Sequence, residues 1–372
     1  MRPLDGVLIL DFSTLLPGPL ATLMMAEAGA EVVKIERPLQ GDEMRSYTPK
    51  WGRDSVNFAM LNRGKKSVAI DLKDPAERAR MTPLVRRADV ILEQFRPGVM
   101  ARLGLDYDSV RQTNEAVIYC SVTGYGQTGP KRHVAAHDLN YIADTGLLAL
   151  AMGHPKHPVV PPALIADIAA GAYPAVLNIL LALQERTRSG IGRYIDVAMT
   201  DNLFPFMYWA FGNGEAVGDW PGNHDNLVTG ATARYNLYPT RDGKVVAAAP
   251  IEQKFWETFC EIINLDEGLR DDGVDPAATL LRVRAIIASE DAEIWGRRFA
   301  LRDCCCNIVT NLRAARNDPH FQQRGLFSHI LSTRGCPSIA AIPLPVDPAY
   351  RLSPCSPQAA PDLGEHNAEY LT

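Results

Sequence analysis

Two short segments carry side chains able to move protons, each at the mouth of an expected helix. In Ala136-His137-Asp138-Leu139-Asn140-Tyr141 the imidazole of His137 stands just before a helical pattern that begins near Asp138. In Ile165-Ala166-Asp167-Ile168-Ala169-Ala170-Gly171 the carboxylate of Asp167 precedes a long apolar helix from about Ile168 to Thr187. The first turn of a helix exposes unpaired N–H donors and a positive potential, surroundings that suit a developing oxyanion. Plainer readings stand beside that chemistry. Asp167 is equally an N-cap that accepts backbone N–H bonds, and His137, one of eight histidines, is equally a surface-loop residue.

A third pattern, Gly124-Tyr125-Gly126-Gln127-Thr128-Gly129, matches G-x-G-x-x-G and follows an expected strand. A dinucleotide-binding turn needs a helix at once, so that its N-terminus faces the pyrophosphate. Here Pro130, Lys131, Arg132 and His133 intervene, so the segment reads as a loop and nicotinamide chemistry is set aside.

The elements that must position these residues alternate. Apolar runs at Gly6–Phe12, Glu31–Arg37, Ser67–Leu72, Asp89–Phe95 and Ala116–Thr123 read as strands, and Arg193–Ala198 as one more. Between them, Pro17-Gly18-Pro19 opens a helical pattern to Ala28, and Asp74-Pro75 begins another to about Ala88. Strands alternating with helices imply an α/β fold with a parallel sheet covered on both faces. Further on, Tyr235–Pro239 and Val245–Ala249 form an expected hairpin, with helices over Glu252–Ile263 and Ala277–Ala300. A large domain over 1–205, a linker over 206–230, a small α+β domain over 231–325 and a returning segment over 326–372 follow from this pattern.

At 372 residues the chain is too long for one ordinary core. A net charge of −5 argues against nucleic acid as a partner, since phosphate backbones require a basic surface. The apolar stretch Ala169–Leu183 is shorter than the roughly 20 residues of a membrane span, and the N-terminus does not read as a signal peptide. Seven cysteines, including the Cys304–Cys306 run and Cys355, form no C-x-x-C pair. Reduced thiols, no metal site and a cytoplasmic location are expected.

Gly6–Pro38, Leu61–Leu72, Asp89–Gly104, Gly124–Gly129, Ser189–Asp201 and Asp242–Glu252 together resemble the family III CoA-transferases (CaiB/BaiF type) and the α-methylacyl-CoA racemases. The resemblance implies a Rossmann-like CoA-binding domain and an interlocked homodimer, with no cofactor beyond the CoA of the substrate. It implies CoA binding by Arg37, by Ile70, Asp71, Leu72 and Lys73, by Ala88, Asp89 and Val90, by Arg96, and by Ala136, Asp138, Leu139, Asn140 and Tyr141 around His137.

Two chemistries compete within the superfamily. In the racemases, which the His137 segment matches at five of six positions of G-H-D-[IL]-N-Y, the histidine and the aspartate at the position of Asp167 act as paired bases. A glutamate matching Glu252 orients the histidine, across the subunit interface of the dimer. In the transferases the same aspartate is a covalent nucleophile. The racemase reading is preferred, because Gly222–Tyr238 lacks the glycine run of formyl-CoA-type transferases. Its physical logic is clear: the α-proton of a thioester needs a placed base and a stabilised enolate, and inversion needs a second group on the opposite face. Backbone N–H groups at the start of the Asp138 helix are the expected enolate hole. Arg234, an addition to the racemase pattern, points either to a carboxylate-bearing acyl group or to solvent. A non-catalytic acyl-CoA-binding protein is the reading from another class.

Overall fold

A computed structural model describes residues 2–154, 156–353 and 357–371, with the backbone alone at Asp54; Cys355 lies outside the described residues. The chain divides into two compact units. The first comprises Met1–Thr145, Pro162–Phe206 and Pro319–Thr372, and the second Gly146–Pro161 and Met207–Asp318.

The first unit is built on six parallel strands: β1 (Leu8–Asp11), β2 (Glu31–Glu36), β3 (Lys66–Ala69), β4 (Val90–Glu93), β5 (Ile118–Thr123) and β6 (Arg193–Ala198). Their order is β3-β2-β1-β4-β5-β6, all pairs parallel, with Leu10 opposite Val33 and Ile91. This doubly wound order reverses direction between β1 and β4, and a crevice opens there at the carboxyl ends of the strands. β1, β4 and β5 are buried at every position, as a sheet covered on both faces requires. Leu10, Val33, Val68, Ile91 and Tyr119 belong to one continuous core.

Two buried ion pairs hold the turn that follows β1. Lys65 Nζ reaches Asp11 Oδ2 (3.1 Å), and Lys34 Nζ reaches Asp42 Oδ2 (2.9 Å) and the Ser13 carbonyl (2.8 Å). Burial alone would raise the pKa of Asp11, but Lys65 and Lys34 outweigh it and hold the carboxyl below its usual range. Burial brings Lys65 down to about 8, against the pull of Asp11.

The helical pattern expected from Asp74 to Ala88 is broken into Pro75–Ala79 and Thr82–Arg87, with Pro83 in the first turn of the second piece. Helix Pro17–Glu27 is buried along its whole length. The long apolar helix exceeds the expected length: Ala166–Ser189 is the one helix among the described residues long and apolar enough to cross a membrane. Here it packs on helix Pro17–Glu27 and on β5 and β6, and buries Ala175, Ile179 and Ala182.

In the second unit, β7 (Asn236–Pro239), β8 (Val245–Ala248) and β9 (Cys306–Ile308) form an antiparallel sheet. The segment expected as a linker contains helix Tyr208–Val217. The helix expected over Ala277–Ala300 is two, Pro276–Ile287 and Ala292–Phe299, interrupted at residues 288–291.

Arg234 meets neither expectation. Its guanidinium grips Asp272 through two bonds (2.9 and 2.7 Å), donates to Gln253 Oε1 (2.9 Å) and the Ile251 carbonyl (3.2 Å), and lies over the Trp256 ring. It is a strut that ties the turn before helix Gln253–Ile263 to Asp272. Arg234→Met leaves Asp272 and the Ile251 carbonyl unpaired, so a loss of about 2–3 kcal/mol is expected in thermal or denaturant unfolding. Unfolding indistinguishable from wild type would remove the strut role.

Candidate active site

The carboxyl end of β5 runs into the loop of the G-x-G-x-x-G pattern, which is not a phosphate turn. Gly126 and Gly129 take positive φ (+79° and +81°), and a Cβ on Gly124 would lie 2.2 Å from the Tyr141 ring. The glycines therefore let the loop bend and let Tyr141 close against it. Tyr125 Oη and Lys131 Nζ both donate to Asp144 (2.7 and 2.8 Å), which pins the loop to helix Asp138–Asp144.

His137 is the N-cap residue of that helix, where its position in the sequence put it. Its N–H donates to Asn140 Oδ1 (3.0 Å), and Tyr141 Oη donates to the Ala136 carbonyl (2.8 Å). The backbone on both sides of His137 is thus fixed while the imidazole stays exposed.

Asp167 is not an N-cap. It lies inside a widened turn, Ala166–Ala172, with i→i+5 geometry, which runs into helix Tyr173–Ser189. Pro174 has no N–H for the ordinary bond to the Ala170 carbonyl, and Asn202 Nδ2 donates to that oxygen instead (3.0 Å). The Asp167 N–H donates to Asp138 Oδ2 (2.9 Å), so the buried Asp138 carboxylate joins the two helices. No hydrogen bond reaches the Asp167 carboxylate among the described residues. Burial, then the nearby Asp138 charge, push its pKa up to about 6, while the charge of His137 pulls the other way.

His137 and Asp167 line one cavity of about 530 Å³ at the switch point. Thr14, Leu15 and Pro17 close it after β1, Gln94 to Pro97 after β4, and Thr123, Gly124 and Tyr125 after β5. A second cavity of about 650 Å³ holds Arg37, Ile70, Asp71, Leu72 and Lys73, together with Arg78 and Arg102. Thr14, Glu43 and Phe95 border both, so the second cavity, lined by four cations and four carboxylates, adjoins the cavity of His137 and Asp167.

Arg96, Ala136, Asn140 and Tyr141 line the first cavity. Leu139 is exposed outside both, and Asp138 is turned inward to Asp167. Ala88, Asp89 and Val90 are not at the site. They precede or begin β4, at the opposite end of the sheet, where Asp89 pairs with Arg186 (2.7 Å) and accepts from the Leu8 N–H (2.8 Å). Glu252 lies in the second unit, exposed, immediately before helix Gln253–Ile263. Missed by the sequence are Gln94, Arg132, Met199 and Thr123, whose hydroxyl is buried with no hydrogen-bond partner among the described residues.

The model of CoA-transferase family III matches residues 4–367. Human alpha-methylacyl-CoA racemase is 30% identical over 99% of this chain and 92% of its own length. The succinate–glutarate CoA-transferase of Agrobacterium fabrum is 32% identical over 99% of this chain and 95% of its own. Mouse succinyl-CoA:glutarate CoA-transferase is 35% identical over 73% of this chain, which spans only 62% of that enzyme. Among solved structures, Rv3272 from Mycobacterium tuberculosis superposes with a TM-score of 0.84 at 28% identity, covering 100% of this chain and 99% of its own. Racemases and transferases stand side by side among the relatives. With His137 and Asp167 lining one cavity at the crevice of a doubly wound sheet, the chain belongs to CoA-transferase family III.

Proposed function

We propose that the protein inverts the α-carbon of 2-methylacyl-CoA thioesters by 1,1-proton transfer. The observation that supports this reading is the joint lining of one cavity by His137 and Asp167, with the Asp167 carboxylate free of hydrogen bonds among the described residues and its pKa raised to about 6. A carboxylate without donors is a stronger base than a capped one, and a base near the working pH exchanges protons in both directions. In one direction Asp167 removes the α-proton and the protonated His137 returns one to the other face; in the reverse direction they exchange roles. Arg37, Lys73 and Arg96 hold the phosphates, and the first backbone N–H groups of the Asp138 helix face the enolate oxygen. No metal or organic cofactor takes part in this scheme.

Pairing of two copies, with Glu252 of one orienting His137 of the other, belongs to the same proposal. Leu177, Leu180 and Leu181 support it, exposed at 58, 41 and 59% along one stripe of helix Tyr173–Ser189.

The alternative is CoA transfer with Asp167 as nucleophile, which the transferases among the relatives favour. Incubation of the enzyme and a 2-methylacyl-CoA in deuterated water, without any acceptor acid, separates the two. Deuterium uptake at the α-carbon is expected. No uptake, with CoA passing to an added carboxylic acid, would establish the transferase reading instead.

A further inference from the structure

Thr123 is the last residue of β5 and lines the cavity of His137 and Asp167. It is only 8% exposed, and its hydroxyl is closed off from solvent with no hydrogen-bond partner among the described residues. A buried hydroxyl left unpaired weakens a fold by the cost of stripping its water. One kept in a cavity wall calls for an acceptor that arrives with the ligand.

The backbone holds Thr123 between the two elements that carry the reacting groups. On one side stands Gly124, against which the Tyr141 ring of helix Asp138–Asp144 closes so tightly that a Cβ would lie 2.2 Å away. On the other, the Thr123 carbonyl accepts from the Met199 N–H (2.8 Å), and Met199 packs on Gly171, where a Cβ would lie 3.0 Å from its sulfur. Gly171 belongs to the widened turn of Asp167. Other polar groups of the wall are committed: Tyr141 Oη donates to the Ala136 carbonyl (2.8 Å), and Asn140 Oδ1 accepts from the His137 N–H (3.0 Å). A neutral hydroxyl with a proton to share suits an oxygen that gains charge during reaction. Next to a carbon straddled by His137 and Asp167, that oxygen is the carbonyl oxygen of the thioester.

We propose that the Thr123 hydroxyl donates a hydrogen bond to the thioester oxygen, as a second donor beside the first N–H groups of the Asp138 helix. This rests on the reading of the His137–Asp167 cavity as the acyl site. The hydroxyl keeps its own proton throughout. Its bond strengthens as negative charge gathers on the oxygen, whether in the enolate left by α-proton removal or in the tetrahedral adduct formed if Asp167 attacks the carbonyl.

Thr123→Val keeps the shape of the side chain and removes the donor. Deuterium uptake, or CoA transfer if that is what the wild type performs, is expected to fall by about a hundredfold to a thousandfold, the scale of one lost oxyanion donor. The melting temperature should stay level or rise, because the free protein loses an unpaired polar group. Thr123→Ser, which retains the hydroxyl, should recover most of the rate. A second readout needs no turnover. Bound to Asp167→Asn, 2-methylpropanoyl-CoA labelled at the carbonyl carbon should show its infrared carbonyl stretch at lower frequency than when bound to the Asp167→Asn/Thr123→Val double variant. Activity of Thr123→Val within about threefold of wild type overturns the proposal. So does a Thr123→Ser loss as deep as that of Thr123→Val with the stretch unmoved, which would make the residue a packing element. A stretch that shifts in a protein showing neither exchange nor transfer upholds the donor and refutes the reaction proposed above. An unmoved stretch in such a protein overturns both.

Discussion

His137→Ala is expected to cut deuterium uptake at the α-carbon by about a hundredfold to ten-thousandfold, the range a placed general acid or base contributes. One of two opposed groups is then missing, so protons leave or return on one face only. Single-face exchange at Asp167 can survive, and product of inverted configuration should fall further than the total exchange. Transfer of CoA to a carboxylic acid depends on Asp167 and should change by no more than about tenfold in the same variant. The imidazole is exposed and the surrounding bonds are made by backbone, Asn140 and Tyr141, so the fold should be retained. If transfer and inversion fell together, His137 would be shaping the cavity instead of moving protons.

Asp167→Asn should abolish both reactions, by about a thousandfold or more, and at the same time make the protein harder to unfold at neutral pH. Burial and the Asp138 charge push the folded carboxyl up to about 6 from the 3.8 of a free aspartate, so between those values the native state keeps a proton that the unfolded chain has released. Stability owed to this group is therefore greatest below about pH 4 and falls as the pH rises through 6. Above that it is a constant penalty of about 1–2 kcal/mol once partial solvent screening is allowed for. An amide carries no such penalty. Thermal unfolding should thus favour Asp167→Asn at pH 7 and show the two proteins converging towards pH 4. An N-cap aspartate would behave otherwise, since asparagine replaces it with little change at any pH. Equal melting curves at pH 7 would show that the folded state places no such penalty on the Asp167 carboxyl.

The strands were legible because burial on both faces of a parallel sheet favours apolar runs, and β1 to β6 lie within the segments so read, except that β3 begins one residue earlier, at Lys66. His137 was legible because a helix start is written locally. Other features depend on partners far along the chain. Asp167 looks like a cap until Pro174 and Asn202 are seen to widen the turn. Arg234 looks unpaired until Asp272, 38 residues on, closes around it. β9 has only three residues, too few to show a period, and it pairs with a strand some sixty positions earlier. Thr123 and Arg132 carry no motif, and only the path of two loops brings them into one wall. Ala88–Val90 came from likeness to relatives, and the geometry puts those residues at the wrong end of the strands.

The widened turn also governs aim. A regular helix advances about 100° per residue, so one extra residue in a turn swings everything before it to a different compass bearing. The direction in which the Asp167 side chain looks is thus chosen seven positions downstream, by a ring that cannot donate and an amide that answers for it. Drift at Asp167 itself alters which group is presented; drift at Pro174 or Asn202 alters where the same group points. Lineages that keep the aspartate but lose that pair would keep the reagent and lose its target.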